Sequence, residues 1–228
     1  MKKFCLVFLI LLSACKASTS DKSVSILEGS ACNLPCWNNI TPGVTTEDEI
    51  VHFLENSDDI DQKSIQIDNQ PRSIFDNHIF FSMRQSWSLN QYPKIRSDIY
   101  IINNIVSDLI ICGELNVSIN DVVSEIGEPE NIISGDNLTG SRTVIFLNPH
   151  HGVSYIYDTA NLPDELKHEI SPDIEIICLN LFDAIMYGDL MDIGFFSSGH
   201  YNAEETLKVM YPWDGYGNLD EKYPPRQP

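Results

Sequence analysis

The sequence predicts an α+β fold: two tandem units, each a short helix plus about three antiparallel strands, packed together, with a short helix near the C-terminus. Three observations carry this. A helix-start signature followed by a short amphipathic stretch occurs twice, in "ITPGVTTEDEIVHFLENS" and in "LNVSINDVVSEIGEPENI". Each is followed by β-rich sequence. Neither half has enough strands to bury a sheet face alone, so the two are expected to pack together.

The first unit is placed at residues 31–112. Thr46 stands as N-cap with Glu49 three residues on, the arrangement of a capping box, and Ile50, Phe53 and Leu54 follow at helical spacing. "HIFFSMRQSW" and "DIYIINNIVSDLIIC" carry the strands. Asn103-Asn104 between two apolar runs marks a tight hairpin turn, because asparagine tolerates positive φ. Strict alternation beyond it places Val106, Asp108, Ile110 and Cys112 on one side, and Ile105, Ser107, Leu109 and Ile111 on the other.

The second unit is placed at residues 113–218. Ser118 is the N-cap with Asp121 at the same offset, Val122 and Ile126 supply the buried face, Gly127 ends the helix in a left-handed conformation, and Pro129 stops it resuming. "RTVIFLNPHHGVSYIYD" reads as a hairpin with its loop at 148–152, and "DIEIICLNL" as a further strand after a polar insert over 159–172. "NAEETLKVMYPW" offers Asn202 as N-cap with Glu205 three on, which predicts a last short helix covering an edge or an open face. Residues 219–228, "LDEKYPPRQP", are polar and proline-rich and are expected to form a tail.

At the other end, Lys2 and Lys3 precede the unbroken apolar run Phe4–Leu12, which is of signal-peptide length and too short to cross a bilayer. Leu12-Ser13-Ala14-Cys15 follows and resembles the lipobox of bacterial lipoproteins. That resemblance implies cleavage after residue 14, acyl chains on Cys15, and attachment to a membrane by the lipid, facing the extracytoplasmic side. Several acyl chains, at about 0.8 kcal/mol per buried CH₂, hold a protein where one would not. An ordinary secretory signal is the competing explanation. Residues 15–30, with the small polar run "ASTSDKSVS", are expected to form a tether.

The chain carries 14 Lys+Arg against 33 Asp+Glu, a net charge of −19, which falls to −21 once Lys2 and Lys3 leave with the signal. Such a surface repels phosphate backbones, which argues against nucleic acid as a partner. Of the six cysteines, Cys5 belongs to the signal and Cys15 to the lipid, leaving Cys32, Cys36, Cys112 and Cys178 in an oxidising compartment. Three pairings are open. Pro35 within "CNLPCW" favours a local Cys32–Cys36 loop; Cys112 and Cys178 each end an "IIC" triplet and either pair or stay free in the core. A zinc site has neither CxxC spacing nor a nearby histidine.

The two helix starts resemble the SmpA/OmlA, or BamE-like, family of small lipoproteins, whose G-x-T-x-x-x-V…G-x-P pattern is matched by Ser118, Val122, Gly127 and Pro129, and in its front half by Gly43, Thr46 and Ile50. The resemblance implies helix-then-strand units of the kind that also occur in tandem in β-lactamase-inhibitor-type proteins. "LENSDD" stands where the first unit would carry the G-x-P ending. "LPCWNNITPGVTT" is similar to the opening of other lipoproteins with a Cys-Trp…Pro-Gly-x-Thr stretch.

Catalytic constellations are absent from the sequence: no G-x-S-x-G, S-x-x-K, H-E-x-x-H, P-loop or dinucleotide fingerprint occurs. His150 and His151 read as exposed loop residues, Asp58, Asp59 and Asp61 as an acidic loop without the EF-hand pattern, and Asp189 and Asp192 as turn residues. Cys32 and Cys36 are one residue too far apart for a thioredoxin-type centre. Trp37 is expected in the core. Tyr211, Trp213 and Tyr216, interleaved with Pro and Gly and followed by Tyr223, are the candidate partner-binding residues, with a core plug as their alternative. The expected function is a lipid-anchored, non-enzymatic binding or scaffold protein with a protein partner and no cofactor. An enzyme or inhibitor with an unrecognised site is the alternative.

Overall fold

The computed structural model describes residue 27 and residues 32–68, 75, 77–82, 95–136, 141–192, 196 and 203–224. Cys15 with its lipobox, Asn202 and the tether apart from Leu27 lie outside the described residues; Leu27, expected in the tether, packs against the larger core. The fold is α+β. Helix α1 (Glu47–Asn56) leads into β1 (Gln66–Asp68), β2 (Asn77–Ser82), β3 (Ile95–Ile102) and β4 (Ile105–Gly113). Helix α2 (Ile119–Ile126) leads into β5 (Asn131–Asp136), β6 (Arg142–Asn148), β7 (Val153–Asp158), β8 (Glu169–Ile170) and β9 (Cys178–Phe182). Then come α3 (Tyr187–Asp192), α4 (Ala203–Val209), β10 (Met210–Pro212), β11 (Gly217–Asn218) and α5 (Leu219–Lys222). Among the described residues, nine strands form one antiparallel sheet in the order β1-β2-β3-β4-β9-β7-β6-β5-β10, and β8 pairs with β11.

Local chemistry explains both helix starts. The Thr46 hydroxyl accepts from the Glu49 N–H while the Glu49 carboxylate accepts from the Thr46 N–H at 2.8 Å, and Ser118 and Asp121 repeat the exchange. These hydrogen bonds hold the Glu49 carboxyl below its usual range. Each start also docks on a later stretch of chain in the same way, the first at the beginning of β4 and the second on the segment that leads into β9. Val106 N–H donates to Thr45 O at 2.8 Å and Ile176 N–H to Val117 O at 2.9 Å; Glu47 N–H donates to Asn104 O and Ile119 N–H to Ile174 O. Asn103 and Asn104 turn the β3–β4 hairpin at φ 52° and 63°.

The halves of the sheet meet where β4 pairs with β9, in register Asp108↔Phe182, Ile110↔Asn180 and Cys112↔Cys178. A disulfide joins Cys112 to Cys178 across this seam, and a second joins Cys32 to Cys36. The larger core lies on one face of the sheet, under Ile50 and Leu54 of α1, Ile119 and Val122 of α2, Trp37, Leu219 and Tyr223. A smaller core on the opposite face packs Ile133, Ile145, Leu147 and Phe182 beneath Leu190 and Met191 of α3, Phe196, and Val209 of α4. That is a second covering layer, and it includes helix α3, which holds Asp189 and Asp192 where the sequence predicts a turn.

Other expectations also need correction. The register slips at Tyr100/Ile101, so that Ile101 faces Val106 while Tyr100 faces Asp108, leaving Ser107 as the extra residue. The bulge moves Val106 to the face of Leu109 and Ile111 in the larger core, away from Asp108. Met210–Pro212, assigned to the last helix, is instead a strand that pairs with β5 and covers the sheet edge. The tail does not begin at residue 219: α5 occupies Leu219–Lys222, and Leu219 and Tyr223 are both fully buried. Aromatic packing outweighs the polar composition of this segment, because Tyr223 stacks on Trp213 with ring centroids 5.9 Å apart. The strand expected over "DIEIICLNL" enters the ladder only at Cys178, since Glu175 is engaged in a bridge to Ser118. Gly127 has the expected positive φ, 88°, but its ψ of 179° is extended rather than left-handed helical.

Candidate functional site

The face of the sheet bearing the smaller core is only partly covered. At the α3 end Asp108, Asn180 and Ser154 are buried, whereas around the seam Ile110, Cys112, Cys178 and Ile156 are half-buried. The register makes these four neighbours: Cys112 faces Cys178, which faces Ile156, and Ile110 precedes Cys112 on the same face. Asp98, opposite Ile110, and Asp158, beyond Ile156, flank this apolar strip and are half-exposed. The result is a shallow apolar strip, stapled by a disulfide, with acidic margins.

The C-terminal aromatic set behaves differently. Tyr211 is buried, and its hydroxyl donates to the Pro224 carbonyl, so it offers no contact surface to a partner. Trp213 and Tyr216 are half-buried; Trp213 meets Phe146 edge-on at 5.6 Å and Tyr216 at 5.4 Å. The Tyr223 hydroxyl accepts from the Asp214 N–H at 2.7 Å and donates to the Gly215 carbonyl at 3.1 Å, closing the loop around the stack. Together these rings cap the end of the larger core. Trp37 is likewise buried, edge-on to Phe53 at 6.2 Å.

Asp220 in α5 receives Arg142 Nη1 at 2.8 Å and His168 Nδ1 at 2.7 Å, tying α5 to β6 and to the residue before β8. Burial alone would raise the Asp220 carboxyl, but these partners outweigh it and hold it below its usual range. An open groove of about 450 Å³ lies between the β6–β7 turn and the start of α3, lined by Glu130, Asn131, Pro149, His150, Ala184, Ile185 and Tyr187. His150 Nδ1 lies 2.7 Å from Glu130 Oε1, and Ile185 is 89% exposed. His150 and His151 occupy a 3-10 turn, and among the described residues no group of three or more metal-ligating side chains converges. Asp61 caps its own turn by accepting from the Lys63 N–H.

The residue that sequence reasoning missed is Asp108. It is fully buried, and among the described residues neither carboxylate oxygen has a hydrogen-bond partner. Its cross-strand neighbours are Tyr100 on β3 and Phe182 on β9, and Asn180, diagonal to it, carries a buried Oδ1 that is also unpartnered. Burial pushes the Asp108 carboxyl well above the ordinary aspartate range. A signal was present: an acid within "NIVSDLIIC" interrupts an otherwise apolar strand on both faces.

No family model, curated protein or solved structure matches the chain.

Proposed function

We propose that this chain is a lipid-anchored, extracytoplasmic, non-enzymatic binding or scaffold protein, built from two tandem BamE-like units and presenting the seam-side sheet face to a protein partner. The observation that carries this is the strip formed by Ile110, Ile156 and the Cys112–Cys178 bridge, an apolar surface left half-open in the middle of a rigid sheet. Central, rigid apolar patches with polar margins suit protein contacts. Both disulfides support an oxidising compartment, and with it the lipobox reading of Cys15. The matching dockings of Thr45–Thr46 on Ile105–Val106 and of Val117–Ser118 on Glu175–Ile176 support the duplicated unit. Trp213 and Tyr216 add contact surface only at their exposed edges.

Two measurements test this. Labelled palmitate should enter the wild-type product and not Cys15→Ser; incorporation into neither would end the anchor. In crosslinking within intact cells, wild type should yield a discrete adduct that Ile110→Glu with Ile156→Glu abolishes while circular dichroism stays unchanged. An adduct formed equally by both would remove the seam face from the proposal. The second reading, an enzyme with an unrecognised site, draws on Asp108 alone, since a carboxyl with so raised a pKa is the kind used as a general acid.

A further inference from the structure

We propose that Asp108 and Asn180 form a binding site for the primary ammonium group of a small amine. Among the described residues, three buried acceptor oxygens on adjacent central strands have no donor: both carboxylate oxygens of Asp108 and Oδ1 of Asn180. Buried polar atoms in native proteins are overwhelmingly hydrogen-bonded, so three orphans of one sign on neighbouring side chains demand a donor. The register sets their spacing. Asp108 pairs with Phe182 and Ile110 with Asn180, which places Asp108 and Asn180 on the diagonal, their side chains rooted about 7 Å apart. One nitrogen bonded at about 2.8 Å to each side chain spans that gap.

The chemistry of the ligand follows from the acceptor set. An alkylammonium carries three N–H donors for three acceptors, and one positive charge for one carboxylate. Calcium would need six or more oxygens, and these two side chains supply three. The setting is aromatic: Tyr100 packs on Phe75 at 4.6 Å, and Phe182 meets Phe196 at 5.1 Å and Tyr187 at 6.2 Å. Rings beside a carboxylate favour an organic cation with an apolar body. The net charge of −19 raises the local concentration of any cation. Tyr187 also lines the surface groove, so the ring cluster that includes Phe182 reaches the surface there.

Calorimetric melting of the full-length chain in detergent and amine-free phosphate buffer tests the site. Methylammonium chloride is the probe, with tetramethylammonium, which has no N–H, and sodium chloride as equal-concentration controls. Methylammonium at a hundred times its Kd should raise Tm by about 5–10 °C above both controls. Asp108→Asn, nearly isosteric, should abolish the difference. Asn180→Leu, which keeps the volume, should weaken the apparent affinity about tenfold and serves if Asp108→Asn does not fold. Equal shifts with methylammonium and tetramethylammonium, or a methylammonium shift unchanged in either variant, would overturn the proposal.

Discussion

Asp108 is fully buried and, among the described residues, neither of its oxygens is hydrogen-bonded, so in amine-free solution its environment favours the protonated form. An unfolded aspartate titrates near pH 3.9, and the folded Asp108 well above that. Below about pH 4 both states hold the proton and the residue does not bear on stability. As pH rises the unfolded chain releases its proton first, so stability falls until the folded pKa is passed. Asp220 has the opposite sign: its lowered carboxyl contributes above the unfolded value and loses that contribution in acid. Asp108→Asn should therefore melt progressively higher than wild type as pH goes from 4 to 7, by on the order of 1–3 kcal/mol at neutrality. Calorimetry across that range checks it, and parallel curves for the two proteins would refute it. Gly152 is a second single-atom constraint. At φ +62° it closes the β6–β7 turn, and a Cβ there would collide with the Phe182 carbonyl, to which the turn is tied by Phe182 N–H donating to Gly152 O at 2.8 Å. Gly152→Ala should cost about 2–3 kcal/mol in urea denaturation.

The helix starts hold the elements together, because Thr46 also bridges to Ile105 at the start of β4 and Ser118 to Glu175 in the segment before β9. Ser118→Ala removes the hydroxyl that accepts from Asp121 N–H and the partner of its carboxylate, and should destabilise by about 1 kcal/mol without altering the circular dichroism spectrum. The same local chemistry made these elements legible in the sequence. Thr46, Ser118, the asparagine pair at 103–104 and the hairpin at 148–152 are short-range signals, each complete within a few residues. What escaped depends on distant partners. The bulge at Ser107 is fixed by hydrogen bonds to segments far along the chain: its carbonyl accepts from Asp183 N–H at 2.9 Å. Strand β10 looks helical in sequence because Met210 and Tyr211 continue the apolar pattern of α4, and only the open edge of β5 draws them into a ladder. Residues 219–223 read as tail because their composition is polar, yet Leu219 and Tyr223 fill the end of the core. Asp108 escaped for a related reason: alternation assigns a face, but not that its cross-strand neighbour Phe182 lies in a core covered by α3 and Phe196, elements with weak sequence signals.

Across the whole molecule, the decisive contact is the seam. Val106 and Ile176 occupy matching places after the two docked caps, and four residues beyond each stand Ile110 and Asn180, which face one another across β4 and β9. The two parts of the sheet thus meet through β4 and β9, in a single ladder of antiparallel strands that runs from β1 to β10. A continuous ladder couples the halves, so they should unfold as one. The disulfide reinforces this by closing a loop with a sequence separation of 66, which in the chain-entropy account is worth about 4 kcal/mol. Replacing Cys112 and Cys178 together by alanine should lower Tm by about 8–15 °C in scanning calorimetry, at 2–4 °C per kcal/mol for a chain of this size. The short Cys32–Cys36 loop, with a separation of 4, constrains few residues, and its loss should leave the sheet intact. A single calorimetric transition should persist in the Cys112→Ala, Cys178→Ala protein, because the larger core runs unbroken under both halves and includes residues of α1 and α2 alike. Two separated transitions would instead mean that the bridge, rather than the shared sheet, holds the halves together.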